Sequence, residues 1–156
     1  MTIQTNIGEI QVEEKDIVIF KQGIPGFEFL KKFTVIALED TKPIQWLVSL
    51  EDKEISLPVI DPWLIRSDYH LDIPKNIVDF LKITNQEKIF ILTVVRIPVS
   101  QPDAMTVNLA APIIINLDNN LALQYIPEQS EYKLRHSLKE ELERSKKLAQ
   151  EKNGDD

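Results

Sequence analysis

Short runs of β-branched and aromatic residues follow one another along most of this chain, with turn signals between them. Such runs appear at Ile17 to Phe20, Phe33 to Leu38, Trp46 to Leu50, Ile55 to Ile60, Ile89 to Val95, Met105 to Leu109, Ile113 to Asn116 and Leu121 to Ile126. Each is too brief for a helix, and its residue types fit a pleated, half-buried strand. Ile3 to Thr5 and Ile10 to Val12 flank Asn6-Ile7-Gly8-Glu9, which reads as a hairpin connection. A βαβ fold would need a helix between most strand pairs, and only one internal helix is legible. Many strands this close together favour a closed or folded-over barrel. The predicted class is mainly β, an antiparallel barrel-like folded-over sheet with one short internal helix and a C-terminal helix. Within it, Ile89 to Val95 shows no alternation, so burial on both faces is expected. Pro58 has no N–H to give to a ladder, so its strand is expected at an edge or with a bulge.

The internal helix is expected from Asp72-Ile73-Pro74-Lys75, an N-cap followed by an early proline, with Ile77, Phe80 and Leu81 at helical spacing. It could plug a barrel mouth or cover a sheet edge. From Glu131 the pattern changes. Leu134, Leu138 and Leu142 recur every four residues, and Glu140 with Arg144 and Glu143 with Lys147 form i,i+4 pairs. The expected organisation is a barrel-like domain over 1–130, then a C-terminal helix and polar tail over 131–156, part of or appended to that domain. The stripe fades after Leu142, so the last turns should project into solvent, ending in the polar Asn153-Gly154-Asp155-Asp156. A chain of 156 residues hides about 70% of its unfolded surface, enough for a core without staples.

The charge count narrows the function. Lys and Arg number 18 against 25 Asp and Glu, a net −7 with a pI near 4.9. Nucleic-acid binding calls for a cationic surface that releases counterions from phosphates, so direct nucleic-acid contact is not expected and a basic protein partner is. Cysteine is absent, which removes disulfides, thiol catalysis and Cys-based metal sites. His70 and His136 are far apart, neither with a partner at metal-ligand spacing. Gly23-Ile24-Pro25-Gly26 spells a GxxG, but without the basic helical setting of an RNA-binding loop it reads as a tight turn. Asp118-Asn119-Asn120 lacks the later ligands of a calcium loop and reads as a hairpin turn. No motif marks a catalytic nucleophile, and no cofactor or enzymatic activity is expected. Residues 1–9 carry neither a basic segment nor an apolar run, and no stretch reaches membrane-spanning length, so a cytoplasmic location is expected.

Acidic residues concentrate ahead of the tail. Residues 1–127 hold 17 acidic and 11 basic side chains, and residues 128–156 hold 8 and 7. Glu39, Asp40, Glu51, Asp52, Glu54 and Asp61 crowd one short window and bracket strand ends. Turns at one end of a barrel would gather them into an acidic rim, either a solvated surface or a docking face for a cationic partner. Trp46 sits in an apolar strand and is expected in the core. Trp63, after the turn-forming Asp61-Pro62, is a core lid or an interface anchor.

Taken together, several segments resemble the flagellar assembly factor FliW family. They are Phe20-Lys21-Gln22-Gly23-Ile24-Pro25-Gly26-Phe27-Glu28, then Pro43 to Asp52 continuing to Val59-Ile60-Asp61-Pro62, then Val107 to Asn116, and Gln124 followed by Tyr132, Arg135 and Leu138. Their order and spacing over residues 3–138 make the combination specific. The turn before Gln124 lacks the Gly that members often place there, and the helix beyond Leu138 is longer than the family core needs. The resemblance implies a non-enzymatic partner switch. Members bind flagellin in the cytoplasm and bind and antagonise CsrA, a small basic RNA-binding translational regulator that represses flagellin synthesis. Accumulating flagellin occupies the factor and frees the regulator.

The motif residues themselves read as structural. Gly23, Pro25 and Gly26 shape a loop, and Asn108 and Asn116 satisfy backbone groups. The acidic set Glu39, Asp40, Glu51, Asp52, Glu54 and Asp61 is the candidate regulator-facing surface. For flagellin, whose terminal segments are hydrophobic and unfolded before assembly, the candidates are the Asp61-Pro62-Trp63 loop and the Pro58 strand. Two other readings compete. One is a flagellin export chaperone without a regulatory partner. The other is a small β-barrel enzyme or ligand carrier, which needs an enclosed pocket with converging polar groups.

Overall fold

The computed structural model describes residues 1–154. Strands β1 (Thr2–Thr5) and β2 (Gly8–Gln11) form a separate hairpin. Its connection is shorter than the four residues expected, because Gly8 already pairs with Thr5. The barrel strands are β3 (Val18–Phe20), β4 (Lys32–Ala37), β5 (Gln45–Ser49), β6 (Ser56–Ile60), β7 (Ile89–Arg96), β9 (Ile113–Asn116) and β10 (Leu121–Gln124). Neighbours run β7-β6-β5-β4-β3-β10-β9, and β9 pairs back onto β7, which closes the sheet and removes its outer edges. All pairs are antiparallel except β3 with β10. From the end of β7, β8 (Thr106–Val107) and β11 (His136–Ser137) extend the sheet as a flap. The mainly β, barrel-like expectation therefore holds, with one parallel pair added.

Three apolar clusters explain the strand pattern. The barrel interior is filled by Phe20, Phe33, Leu47, Val59, Leu92, Ile113, Ile115 and their neighbours, with Phe20 and Phe33 edge-to-face at 5.2 Å. A second cluster lies outside, around Ile60, Ile65, Tyr69, Val95 and Val107. A third joins Leu81, Ile91, Ile114 and Leu123. Strand β7 feeds all three, Leu92 facing inward while Ile91 and Val95 face outward. That is why its sequence shows no alternation.

Helix α2 (Lys75–Phe80) covers the third cluster from outside the barrel, and does not plug a mouth. Its N-cap is Pro74, without a side-chain cap. Asp72, expected there, is two residues too early and holds His70 instead, at 2.9 Å. Buried Asn116 fastens the helix end, its Nδ2 donating to the carbonyls of Leu81 and Lys82 while its Oδ1 accepts from Asp118. Asn108 Oδ1 accepts from the Ala110 and Ala111 amides. Both asparagines thus satisfy turn backbone, as their residue type suggested.

A second short helix, α1 (Pro62–Ile65), follows β6 and was not expected. Four residues carry too little periodicity to register, although Asp61 capping Trp63 N–H at 2.9 Å with Pro62 at the first position is a legible start signal. Trp46 is half-buried and lies in none of the three clusters, its Nε1 donating to Thr41 Oγ1 at 3.0 Å. The C-terminal helix α3 (Leu138–Gly154) begins seven residues later than Glu131. Leu134 lies before it and is exposed, and Leu142 is exposed within it, so the leucine stripe does not form its docking face. The polar end at Asp155 and Asp156 lies outside the described residues.

Candidate functional site

Hairpin connections along an antiparallel meander alternate between the two ends of a sheet. This decides where the acidic residues go. Glu39 and Asp40 precede β5, and Asp61 follows β6 beside Gln45, so these three share one end. Glu51, Asp52 and Glu54 sit in the β5–β6 connection at the other end, one strand length away. The single acidic rim expected from the sequence does not form. Closeness in sequence across one strand is separation in space.

Several of these carboxylates also have structural work. Glu51 Oε1 accepts from the Lys31 and Lys32 amides at 2.6 and 2.9 Å, and those two bonds hold its carboxyl below the usual range. Asp52 Oδ1 accepts from Glu54 N–H. Asp61 caps α1. Glu39 reaches Lys42 at 2.9 Å. Asp40 and Glu54 are the exposed members outside these side-chain contacts. Glu54 is bound through its backbone.

At the Asp61 end lies a groove of about 850 Å³ between α1, α2 and the start of β7. Trp63 stands on its rim, 40% exposed. Its Nε1 donates to Tyr69 O at 2.8 Å, and its ring meets Tyr69 edge-on at 5.4 Å. The indole is thus held in one orientation and stays partly exposed.

Beside it is a polar and aromatic node that sequence reasoning did not assemble. Tyr69 and Tyr132 stack at 4.7 Å, and Arg66 lies 5.0 Å over the Tyr132 ring. Arg66 Nη1 donates to Glu141 Oε1 at 3.0 Å, and His136 Nδ1 meets the same oxygen at 2.9 Å. Arg144 donates both Nη groups to Asp68 at 2.6 and 2.7 Å, and pairs there in place of Glu140. Those bonds pull the Asp68 carboxyl down to about 2. Burial pushes the Tyr69 and Tyr132 phenols up. The residues come from the segment after α1, the 130s and α3, and together they attach α3 to the barrel. One signal was available, since Leu138, Glu141 and Ser145 lie three or four apart on one helical face.

The barrel interior, where a ligand carrier would hold its cargo, is packed with side chains. Among the described residues no group of three His, Cys, Asp or Glu side chains could hold a metal ion, and no helix is long and apolar enough to cross a membrane.

A family model described as FliW protein matches residues 2–138, ending at the first residue of α3. The flagellar assembly factor FliW of Thermosipho africanus is 45% identical over 140 residues, 90% of this chain and 97% of the relative. That of Thermotoga maritima is 44% identical over 146 residues, 94% and 98% of the two chains. That of Caldicellulosiruptor saccharolyticus is 44% identical over 135 residues, 86% and 88% of the two. A crystal structure of the flagellar assembly factor FliW superposes with a TM-score of 0.82 at 35% identity, covering 88% of this chain and 96% of that one. With the closed barrel, its outer clusters and the flap in place, the chain belongs to the flagellar assembly factor FliW family.

Proposed function

We propose that this protein is a non-enzymatic cytoplasmic binding protein that exchanges two partners, flagellin and a CsrA-type translational regulator. Occupation by flagellin releases the regulator, which then represses flagellin synthesis. The observation that carries the reading is the family match across the whole barrel, residues 2–138. The net charge of −7 supports a basic partner and opposes direct contact with nucleic acid. The separation of the acidic groups supports one of the two ends, not a continuous rim, as the regulator-facing surface. The exposed Trp63 and its groove support a site for an unfolded apolar segment, as flagellin's termini would present. We further propose that residues 1–130 and 131–156 work as one unit, a reading supported by the bonds from α3 to Arg66, Ser67 and Asp68.

Binding of each purified partner to the full chain, measured calorimetrically, tests this. Each should bind at micromolar concentration or tighter, and flagellin should displace the regulator. Regulator affinity should fall as salt rises from about 0.05 to about 0.5 M. Absence of both complexes would end the proposal, and flagellin binding without regulator binding would leave only an export chaperone.

A further inference from the structure

The flap that β8 and β11 add to β7 has two faces, and α3 lies against only one. Val95 pairs with Val107, and Val107 with His136. These three face outward, where they meet Tyr132, Leu138 and Glu141. Side chains alternate along a strand. Val94, Arg96, Thr106 and Asn108 therefore turn to the other face, as does Arg135 just before β11. There Val94 packs on the barrel core together with Phe27 and Leu57. A pocket of about 330 Å³ opens over them. Because β6 and β7 are antiparallel, Leu57 and Arg96 lie at the end of the barrel away from Ile60 and Asp61, and so away from the Trp63 groove.

Two cations and no acid line this pocket. Arg96 and Arg135 are its charged members, and both are exposed. Among the described residues neither guanidinium lies within ion-pair distance of a carboxylate. Glu51, Asp52 and Glu54 belong to the same end of the barrel, but none enters the lining. In a chain with 25 acidic and 18 basic side chains, this is a local reversal of sign. Guanidinium forks match a carboxylate. Asn108 Oδ1 is taken by the Ala110 and Ala111 amides, which leaves its Nδ2 to donate. Gln124 Nε2 is taken by Ala111 O at 3.0 Å, which leaves its Oε1 to accept. One donor and one acceptor are what a single peptide unit needs. Leu57, Val94 and the exposed Leu134 supply an apolar wall. A fatty acid would leave the two amides unused, and inorganic phosphate would leave the wall unused. A second copy of this chain carries the same net −7, which opposes self-association. We propose that this pocket takes an acidic residue of a polypeptide segment. Its carboxylate accepts from Arg96 and Arg135, its peptide unit meets Asn108 and Gln124, and a neighbouring apolar side chain lies against Leu57, Val94 and Leu134. Such a site lies at the other end of the barrel from the Trp63 groove and needs neither partner named above.

The test uses the full chain, isotope-labelled, and a short synthetic peptide blocked at both ends, one glutamate between two leucines with glycine and serine outside them. Titration should saturate with a Kd near or below about 1 mM. Shift changes should centre on the Arg96 and Arg135 side-chain N–H groups and on Ile24, Leu57 and Val94. Glutamine in place of the glutamate should weaken binding at least about tenfold, and serine in place of both leucines about tenfold. Arg96→Gln and Arg135→Gln should each weaken it about tenfold, while Lys88→Gln, at the far end of β7, should leave it unchanged. Urea midpoints of the two arginine variants should match wild type, since neither side chain loses an ion pair. Equal binding of the glutamate and glutamine peptides would overturn the site, as would binding unchanged in both arginine variants. So would inorganic phosphate that shifts the same arginine groups as strongly at equal concentration, or a dimer in sedimentation that protects them in the free chain. If the peptide binds while neither flagellin nor the regulator does, the partner reading fails and this one stands. If both proteins bind and the peptide does not, the reverse holds.

Discussion

Gly23 leaves β3 with φ at +69°, and a Cβ there would lie 2.5 Å from the Glu28 backbone. Gly26, three residues on, has φ at +92° but open space around the missing Cβ. The two glycines of one turn are therefore unequal. Gly26→Ala should lose about 1–2 kcal/mol from the left-handed conformation alone. Gly23→Ala should lose more, roughly 3 kcal/mol or above, because backbone must move as well. Urea unfolding midpoints of the two variants check the order, and equal losses would contradict it. Asp68 carries the residue-scale pH prediction. Its carboxyl falls from 3.8 to about 2, chiefly through its hydrogen bonds from Arg144. A lowered folded-state value means that the stabilisation is fully present above about pH 4 and is lost as pH falls toward 2. The pair is half-exposed, so the effect on global stability is modest. It should appear as faster amide exchange in α3 over that window, and Asp68→Asn should remove the acid dependence while loosening the helix at neutral pH.

Helix α3 docks by a polar face. Leu138 packs against the outer cluster. Beyond it the contacts are Glu141 with Arg66 and His136, Arg144 with Asp68, and Ser145 Oγ donating to Ile65 O at 2.7 Å. Glu141 is buried, and removing it would leave the partly buried Arg66 guanidinium with only Asp68, 3.7 Å from its Nε, as a counter-charge. Glu141→Ala is expected to cost about 3 kcal/mol and to release α3, read as loss of exchange protection along the helix. Glu141→Gln keeps an acceptor oxygen and should cost less. Equal protection in wild type and Glu141→Ala would show that Leu138 alone holds the helix. The leucine repeat suggested an apolar stripe because Leu134, Leu138 and Leu142 are spaced for one. The chain between Glu131 and Ser137 instead forms the short β11 against β8, with Leu138 N–H bonded to Met105 O at 3.0 Å. That pairing partner is remote in sequence, so no local pattern announces it. Pro58 illustrates the converse. Its strand lies between two neighbours, yet the proline faces the side on which the ladder stops, so the chemical expectation of a missing donor held while the edge position did not.

At the scale of the whole molecule, an excess of negative charge is divided between two ends of a barrel. If the regulator docks on one end, reversing charge there should weaken it about tenfold and reversal at the other end should do little. Glu39→Lys with Asp40→Lys tests the Asp61 end, and Glu54→Lys tests the opposite one. Identical small effects from both would assign the charge to long-range attraction, and no effect from either would remove electrostatics from the interface. Much of this molecule was legible in residue order. The short β-branched runs required strands, their spacing required a barrel over a layered α/β fold, and Gly23 and Asn108 declared turns that depend only on nearby backbone. These are local matters of sterics, period and hydrogen-bond capacity. Barrel closure by β9 on β7, the parallel β3–β10 pair, the division of the acidic set and the polar seat of α3 were decided only in the tertiary structure. Each depends on which distant segments meet and in what register, and a linear sequence carries no distances between them.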